Sequence, residues 1–494
     1  MDSKKNIAII GAGVSGLLSM KICKEEGFRV TCYEITNDIG GLWKYREENV
    51  PGVASVCKRT VMNTSREMSA FSDFPPPKDF PIFMPHQVVH DYITSYADKH
   101  SLRDHVRLRR KVTLVQEAED FEYNGKWKVT SIDLETSNEE VDTYDAVMIC
   151  TGCNSNPFIP SLPGLEEYRG NVLHSWHYKE PSKFSNRRVL VVGTGNSGSD
   201  VAVDLCGVAK TVIMSSNSGS WLYGRNSPSG EPWDVYFTSR LNLWLFERLP
   251  KFITNKWMKN TFKKYFDTSY FNLMPKKDFF RCLPTINDCI PFHLLNGNIR
   301  IRGKIKKFTA EGVLFEGDED VTLIDDVIFA TGYSSDLPFL QKKTYSEDLY
   351  NVIIPPDLKH PTLAFIGFTE IARALALIIE MQVMWFVQLL KGNIQLPPRE
   401  KMRKRISNFK KARKARFGED SHTNLIMETY VDEIASEIGV KPNLLSMLFH
   451  DLTLFFSCLK GPLLPYQYRL RGPYAWIGAR DAIVTYKKRL YNAK

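Results

Sequence analysis

Hydrophobic residues in this chain cluster in short runs that are followed by glycine. Residues 7–10 form the first run, Gly11 follows it, and residues 17–21 continue in a helix-like pattern. Residues 28–33 form a second run. Apolar runs of strand length that alternate with helical segments are typical of a parallel sheet buried between helices. The pattern therefore predicts an α/β fold.

The glycines after the first run have the spacing of a dinucleotide-binding turn. Gly11 permits the turn, Gly13 lets the backbone approach a diphosphate, and Gly16 lets the helix pack close to the strand. Glu34 ends the second run, about twenty residues later, where a carboxylate can bind a ribose 2'-hydroxyl. We prefer this interpretation to an ordinary strand, turn and helix without a ligand.

The strand, turn and helix pattern occurs a second time. Residues 188–192 are an apolar run, and Gly193, Gly195 and Gly198 repeat the same glycine spacing. In each half a later buried run ends in Thr-Gly, the second of them at residues 326–332. This internal repeat predicts two Rossmann-like dinucleotide-binding domains that each hold one nucleotide.

The two halves differ in the residues directly after their second strand. Residues 215–218 read Ser-Ser-Asn-Ser, so no acid stands where Glu34 stands in the first half. A carboxylate there would repel the 2'-phosphate of NADPH, whereas Arg225, a little farther along the chain, would attract it. We therefore expect the second domain to prefer NADPH to NADH.

The pattern also suggests where the domains begin and end. Residues 233–266 interleave aromatic, leucine and basic residues and predict amphipathic helices inserted into the second domain, and residues 360–367 predict a strand that returns to the first sheet. We expect the first nucleotide-binding domain at residues 1–163, the second at 164–325 with a helical insertion at about 230–290, a return of the first at 326–390, and a helical, basic C-terminal region at 391–494.

Length and composition exclude several classes of protein. The 494 residues exceed one typical core, and 43% hydrophobic and 24% charged residues are typical of a soluble globular protein. No run reaches the roughly 18 apolar residues of a membrane span, and the first strand leaves no room for a signal peptide. The nine cysteines form no disulfide or zinc pattern. We expect a cytosol-facing protein without a metal.

The net charge of +9 is concentrated in one segment. Residues 399–416 carry ten basic residues and one acid, and the rest of the chain is neutral overall. Apolar residues at helical spacing predict a basic amphipathic helix, which would lie either on anionic lipid or in solvent. The aromatic segment 233–266 would likewise be packed core, a membrane surface or a lipophilic substrate entrance. No nucleic-acid-binding module is recognisable.

Residues 168–178 carry a more specific signature. They resemble the Phe-x-Gly-x-x-x-His-x-x-x-(Phe or Tyr) fingerprint of the flavin-containing monooxygenases. Similarity to the animal, dimethylaniline N-oxide-forming members extends nearly from end to end of the chain, through residues 25–27, 38–43, 63, 71–75, 195–198, 329–333 and 465–469.

The resemblance implies FAD in the first domain and NADPH in the second. It implies that reduced flavin reacts with O2 to give a C4a-hydroperoxide, which oxygenates nitrogen or sulfur of a small lipophilic nucleophile while NADP+ stays bound. Asn63 matches the family asparagine beside the flavin and is the candidate catalytic residue. The candidate cofactor-binding residues are Gly11, Ala12, Gly13, Val14, Ser15, Gly16, Glu34, Gly41, Leu42, Trp43, Met62, Asn63, Thr64, Gly193, Gly195, Ser197, Gly198, Ser199, Asp200 and Arg225.

The chain departs from the family pattern at three places. Tyr168 replaces the usual Phe, and residues 216–218 replace a segment in which relatives carry an Arg pair. Residues 370–376 replace a Gln-Pro-Leu-Gly-type loop near the flavin. The hydrophobic C-terminal anchor of many animal relatives is missing, so the endoplasmic reticulum association that the resemblance implies would depend on the basic and aromatic helices.

Other functions remain open at this point. The altered segment 370–376 leaves room for an uncoupled NADPH oxidase that releases hydrogen peroxide or for a Baeyer-Villiger monooxygenase. Cys150 and Cys153 form a Cys-x-x-Cys pair, as in flavin disulfide reductases, although Cys150 ends a buried run. A non-catalytic nucleotide-binding protein is the remaining alternative.

Overall fold

The computed structural model describes residues 4–276, 284–334, 336–341, 348–368, 375–417 and 427–491. Its strands are β1 Asn6–Ile10, β2 Arg29–Tyr33, β3 Val106–Arg107, β4 Arg110–Glu117, β5 Trp127–Asp133, β6 Glu139–Tyr144, β7 Ala146–Ile149, β8 Asn156–Pro157, β9 Asn171–His174, β10 Arg188–Val192, β11 Thr211–Ser215, β12 Leu222–Tyr223, β13 Thr285–Ile286, β14 Ile299–Arg302, β15 Ile305–Thr309, β16 Gly312–Phe315, β17 Thr322–Leu323, β18 Asp326–Phe329, β19 Tyr333–Ser334 and β20 Leu363–Phe365.

The α-helices cover the sheets and form most of the C-terminal region. They are α1 Val14–Glu25, α2 His86–Lys99, α3 Phe121–Asn124, α4 Asn196–Leu205, α5 Trp233–Phe237, α6 Arg240–Arg248, α7 Lys251–Tyr265, α8 Ile290–Leu295, α9 Leu375–Leu390, α10 Arg399–Phe417, α11 Met427–Ile438, α12 Leu444–His450, α13 Leu452–Leu459, α14 Ala479–Val484 and α15 Tyr486–Tyr491.

The first sheet has the strand order β20-β7-β1-β2-β3, and all its strands are parallel. Ile7, Ala8 and Ile9 of β1 are completely buried, as expected for a parallel sheet whose faces are both covered by helices. The predicted return of the chain to this sheet is confirmed, because β20 pairs with β7.

The second sheet repeats this arrangement in the order β14-β11-β10-β18-β9, again with every strand parallel. The α/β fold with two parallel sheets is therefore as predicted. β18 begins at Asp326, directly after the predicted domain boundary, yet it pairs with β10 of the second sheet. We therefore propose that the second domain extends at least to the end of β18; the other boundaries remain predictions.

The apolar helix α9 forms much of the first core. It packs against α1 and α11, and its side chains are buried on nearly every face. A helix that is apolar all round is expected to be buried in this way. Within it, the completely buried Glu380 faces Arg469, whose guanidinium lies 3.3 Å from both Glu380 and Asp73, and Lys21 pairs with Asp73. These four charges neutralise one another and connect the C-terminal region to α1 and α9.

The basic segment folds as the predicted amphipathic helix, α10. Met402 and Ile406 are buried in the first core and Phe409 packs against it, so the apolar face of α10 is occupied by the protein itself. Part of its charge is paired as well, since Arg405 contacts Glu433 and Glu437. Among the described residues, no helix is both long and apolar enough to cross a membrane.

Candidate active site

Both glycine turns lie at the carboxyl ends of central parallel strands. β1 leads into the first turn and α1 follows it, and β10 and α4 have the same relation to the second. The N–H of Gly11 donates to the carbonyl of Tyr33 at 2.8 Å, and the N–H of Gly193 donates to that of Ser215 at 3.0 Å. The turns are thus equivalent in position, at the sheet edge where doubly wound folds bind nucleotides.

The backbone geometry of the turns explains the glycine spacing. Gly11 and Gly193 have positive φ angles of 101° and 114°, a conformation that other residues rarely adopt. A Cβ on Gly16 would lie 1.9 Å from the carbonyl oxygen of Gly11, and one on Gly198 would lie 2.2 Å from that of Gly193. Only glycine lets either helix start this close to its strand.

The first turn is covered by a neighbouring loop. The N–H of Gly40 donates to the carbonyl of Ala12 at 3.0 Å, and a Cβ on Gly41 would lie 2.9 Å from Cα of Gly13. The 3-10 helix Gly41–Trp43 comes next, with partly buried side chains, Leu42 among them. The predicted loop around the first nucleotide therefore lies against the glycine turn.

Glu34 is buried at the end of β2 and is joined to the first turn. One carboxylate oxygen accepts from the N–H of Ala12 at 2.8 Å, and the other accepts from the N–H and hydroxyl of Thr36 at 3.0 and 2.8 Å. Arg46 donates to that hydroxyl. Since each carboxylate oxygen has two lone pairs, the one bonded to Ala12 keeps acceptor capacity for a ribose hydroxyl. Val14 and Ser15 begin α1 beside it.

The second turn is open. Gly195, Asn196 and Ser197 are exposed, and a Cβ on Gly195 would meet no atom within 4 Å. Asn196 anchors the turn because its Oδ1 accepts from the N–H of Ile286 at 2.8 Å. Ser199, by contrast, is completely buried. The exposed backbone at the start of α4 is the part of this turn that a diphosphate could reach.

Asp200 introduces a titratable group near the second turn. Its Oδ1 accepts from Nδ2 of Asn287 at 2.8 Å. Burial raises the pKa of this carboxyl to about 6, although the positive charge of Arg225 acts in the opposite direction. The group is therefore partly protonated near neutral pH.

Asn63 lies where the two halves of the molecule meet. Its Oδ1 accepts from Nη2 of Arg225 at 2.8 Å, across 162 positions of sequence. Met62 packs against the first core, and the Thr64 hydroxyl bonds to that of Ser69 at 2.6 Å. The structure thus brings Arg225 to the candidate catalytic residue, a contact that no local sequence pattern predicts.

Three acids form hydrogen bonds or ion pairs with residues near Asn63 in the structure or in the sequence. Asp288 pairs with Arg225 at 2.6 Å, Asp234 accepts from the N–H of Ser65 at 2.7 Å, and Glu67 pairs with Arg489 at 2.7 Å. These partners are separated by 63, 169 and 422 positions. No local pattern marks such pairs, because the partners meet only when distant elements pack together.

The fingerprint segment joins the second sheet to the first half of the chain. His174 is buried, burial lowers its pKa, and its Nδ1 accepts from the N–H of Trp176 at 3.1 Å. The indole of Trp176 donates to the carbonyl of Val53 at 2.7 Å, and its carbonyl accepts from Asn49. These bonds connect the segment that follows β9 to the first half of the chain.

The structure does not favour the dithiol alternative. Cys150 is buried, and burial raises the pKa of its thiol to about 12, although a hydrogen bond with Ser19 acts in the opposite direction. A thiolate is the reactive form in disulfide chemistry, so this site disfavours it. The altered segment 370–376 lies outside the described residues except for its last two, which begin α9.

Comparison with known proteins gives one family. The family model "Flavin-binding monooxygenase-like" matches residues 4–493. Flavin-containing monooxygenase 5 of Rattus norvegicus is 39% identical over 99% of this chain and 93% of its own length. Dimethylaniline monooxygenase [N-oxide-forming] 2 of Oryctolagus cuniculus is 39% identical over 98% of this chain and 92% of its own length.

Solved structures share the fold at lower identity. S-allyl-L-cysteine S-oxygenase from Allium sativum superposes with a TM-score of 0.67 at 21% identity, and covers 100% of this chain and 99% of its own. Cyclohexanone monooxygenase from Rhodococcus sp. Phi1, solved with NADP+, gives a TM-score of 0.64 at 16% identity over 88% of this chain and 98% of its own.

Proposed function

Because this chain belongs to the flavin-binding monooxygenase-like family, and is therefore an enzyme of the flavin-containing monooxygenase type, we propose that it uses NADPH and O2 to oxygenate nitrogen or sulfur of small lipophilic nucleophiles. One oxygen atom of O2 enters the substrate and the other leaves as water, while NADPH supplies a hydride and solvent a proton. The observation that carries the proposal is the pair of equivalent glycine turns with Asn63 at the junction between the halves.

The first turn fits FAD. Gly41 lies so close to Gly13 that no side chain fits between the covering loop and the turn. A diphosphate bound beside the turn would therefore meet backbone N–H groups and not side chains. Glu34 keeps a free lone pair on a fixed carboxylate, as ribose binding requires. We assign Gly11–Gly16, Glu34, Gly41, Leu42, Trp43 and Thr64 to this cofactor.

The second turn fits NADP. Its exposed backbone at Gly195 and Ser197 can receive a diphosphate, and no acid stands beside it to repel a 2'-phosphate. When bound, reduced FAD supplies the chemistry with O2 and NADPH supplies the electrons. The chain's own contribution is to hold both groups, to exclude water and to present the amide of Asn63 to the reacting atoms.

The preference for nitrogen or sulfur is supported by the names of relatives, which include an N-oxide-forming enzyme and an S-oxygenase. A purified sample should contain flavin and should oxidise NADPH when a tertiary amine or a thioether is added, with the N-oxide or S-oxide as the product. Mass spectrometry of the product, with peroxide titrated in the same reaction, tests this. Asn63→Ala should lower the yield of product per NADPH more than tenfold.

The same measurement separates the alternatives. An uncoupled oxidase would return nearly one peroxide per NADPH with every nucleophile, and a Baeyer-Villiger enzyme would convert a ketone to an ester instead. A sample that binds no flavin when supplied with FAD would contradict the proposal altogether. Endoplasmic reticulum association remains a prediction from the resemblance.

We also propose that α6, α7 and α10 form a surface that contacts anionic lipid. Trp244, Phe252 and Trp257 are exposed on α6 and α7, with Phe252 73% exposed. The ammonium group of Lys251 donates to the carbonyl of Ala415 at 3.4 Å, which places α7 beside the basic helix α10. Apolar side chains beside positive charge are typical of proteins that bind membrane surfaces.

Co-sedimentation with vesicles tests this surface. The protein should bind vesicles that contain phosphatidylserine several-fold better than vesicles of phosphatidylcholine alone, and Phe252→Glu should reduce that binding. Phe292→Glu is the matched control because Phe292 is similarly exposed but lies on α8, which is not part of the proposed surface. Equal binding to both vesicle types, or an equal effect of the two substitutions, would contradict the assignment.

A further inference from the structure

Arg225 contacts Asn63 through a hydrogen bond of defined direction. Its Nη2 lies 2.8 Å from Oδ1 of Asn63, and its Nη1 lies 2.6 Å from Oδ2 of Asp288. The backbone N–H of Arg225 donates to the other oxygen of Asp288 at 2.8 Å. The Arg225 side chain is only 13% exposed. Two acceptors on different parts of the chain thus engage the two ends of one guanidinium fork.

The chemistry of the guanidinium fixes the orientation of the amide. Arginine donates hydrogen bonds and accepts none, so the atom of Asn63 that faces Arg225 is the carbonyl oxygen. The Nδ2 group must then point away from Arg225. Among the described residues it makes no hydrogen bond, and Asn63 is partly exposed. The donor half of the amide is therefore left for another partner.

Both ends of this contact are anchored. The neighbour of Asp288, Asn287, is held at the start of α8, where its Oδ1 accepts from the N–H groups of Cys289 and Ile290, each at 2.9 Å. On the other side, Asp234 accepts from the N–H of Ser65, two residues after Asn63. The backbones that carry Arg225 and Asn63 are thus held independently of their side chains.

We propose that Arg225 is a positioning residue that sets the orientation of the Asn63 amide, so that the amide NH2 group faces the bound cofactors. This proposal rests on the proposed function and replaces the expectation that Arg225 binds the 2'-phosphate of NADP. Arg225 acts through Asn63, whereas a phosphate ligand would act through charge. The two roles predict different results for the same variants.

A double-mutant cycle on nucleotide affinity separates them. We would measure the dissociation constants of NADP+ and NAD+ by calorimetry on the purified flavoprotein, for Arg225→Met, Asn63→Ala and the pair. A positioning role predicts that Arg225→Met weakens both nucleotides by similar factors of about three to ten, and that it adds nothing once Asn63 is alanine. Lys210→Met is the charge-matched control. Lys210 is an exposed lysine directly before β11, at the end of that strand opposite the turn, and its substitution should change neither constant.

Two conservative variants sharpen the test. Arg225→Lys keeps the charge and loses the fork, so a positioning role predicts a loss close to that of Arg225→Met, whereas phosphate binding would be largely kept. Asp288→Asn removes a negative charge beside Arg225. It should weaken NADP+ if it orients the guanidinium, and should strengthen it if Arg225 binds phosphate.

The proposal is overturned if Arg225→Met reduces the preference for NADP+ over NAD+ tenfold or more, or if its effect adds fully to that of Asn63→Ala. Thermal unfolding of each variant identifies any that fail to fold. If Arg225→Met does not fold, Arg225→Lys takes its place in the double-mutant cycle. These affinities do not depend on turnover. If the wild-type protein oxygenated no nucleophile, the proposed function would fail while the role of Arg225 would still be decided.

Discussion

The two glycine turns share their backbone geometry and differ in the structure that covers them. Glycines with positive φ open both turns, and a Cβ on the third glycine of either turn would overlap the carbonyl oxygen of the first. The first turn is overlaid by the Gly41–Trp43 loop and bonded to Glu34, whereas Gly195 faces open space. The first is thus suited to a resident cofactor and the second to one that exchanges.

This difference explains how one repeated unit can serve two purposes. A cofactor that must survive every turnover gains from a covering loop and a fixed carboxylate, since both oppose its release. A reductant that must arrive and leave needs an open turn at the same sheet edge. Substitutions at three places test this difference: the third glycine of each turn, the titratable Asp200 near the second turn, and the acid Glu34 that only the first turn has.

The largest effect is expected at the third glycines. In Gly16→Ala and Gly198→Ala the new Cβ would overlap a backbone oxygen, so each should lower the free energy of unfolding by more than about 3 kcal/mol. Gly16→Ala should also lose flavin, and Gly198→Ala should keep flavin and lose NADP+ affinity. Thermal unfolding followed by flavin absorbance, with calorimetry for NADP+, measures both.

Gly195→Ala is the control for stability, because its Cβ would meet nothing, and it should change unfolding by less than about 0.5 kcal/mol. Loss of flavin from Gly198→Ala as complete as from Gly16→Ala would show that the turns do not act separately.

The next effect concerns Asp200, which stands two residues after the third glycine, where the first turn has the buried Leu18. Burial raises the pKa of Asp200 from 3.8 to about 6. The folded state therefore binds its proton more tightly than the unfolded state does, so this stability is present below about pH 4 and is lost as pH rises through 6. Asp200→Asn should gain on the order of 3 kcal/mol over wild type at pH 8 and almost nothing at pH 4.

Urea unfolding at the two pH values measures the gain. Asp320→Asn, an exposed acid in the loop after β16, should show no such gain at pH 8. Equal stability of wild type and Asp200→Asn at both pH values would mean that the carboxyl has an ordinary pKa.

The features of the two turns differ in how far the amino-acid sequence predicts them. Gly11, Gly16, Gly193 and Gly198 were predictable because a steric constraint within six residues leaves one residue type. The contacts of Arg225 with Asn63 and of Glu67 with Arg489 were not predictable, because they join segments 162 and 422 positions apart. Ser199 shows the same limit: the spacing placed it in the turn, but the packing of α4 buries it.

Glu34→Gln tests the acid of the first turn. It removes the charge from the carboxylate oxygen that keeps acceptor capacity for a ribose hydroxyl, and a hydrogen bond to a charged group contributes about 1.5–3 kcal/mol. The dissociation constant of FAD should therefore rise roughly 10- to 100-fold, as measured by fluorescence on the reconstituted apoprotein. Glu119→Gln, an exposed acid before β5, should leave it unchanged. An unchanged dissociation constant of FAD in Glu34→Gln would show that the charge of Glu34 does not contribute to FAD binding.

The smallest effect comes from giving the second turn the acid that it lacks. Ser216 is equivalent to Glu34, because each follows the residue whose carbonyl accepts from the first glycine of its turn. Ser216→Asp places a carboxylate where a 2'-phosphate is expected, so NADP+ should bind about tenfold more weakly while NAD+ changes less than threefold. Ser216→Asn has the same size without the charge and should keep the preference for NADP+. If both variants weakened both nucleotides equally, the hydroxyl contacts of Ser216 with Thr194 and Gly219, rather than charge, would decide affinity at this turn.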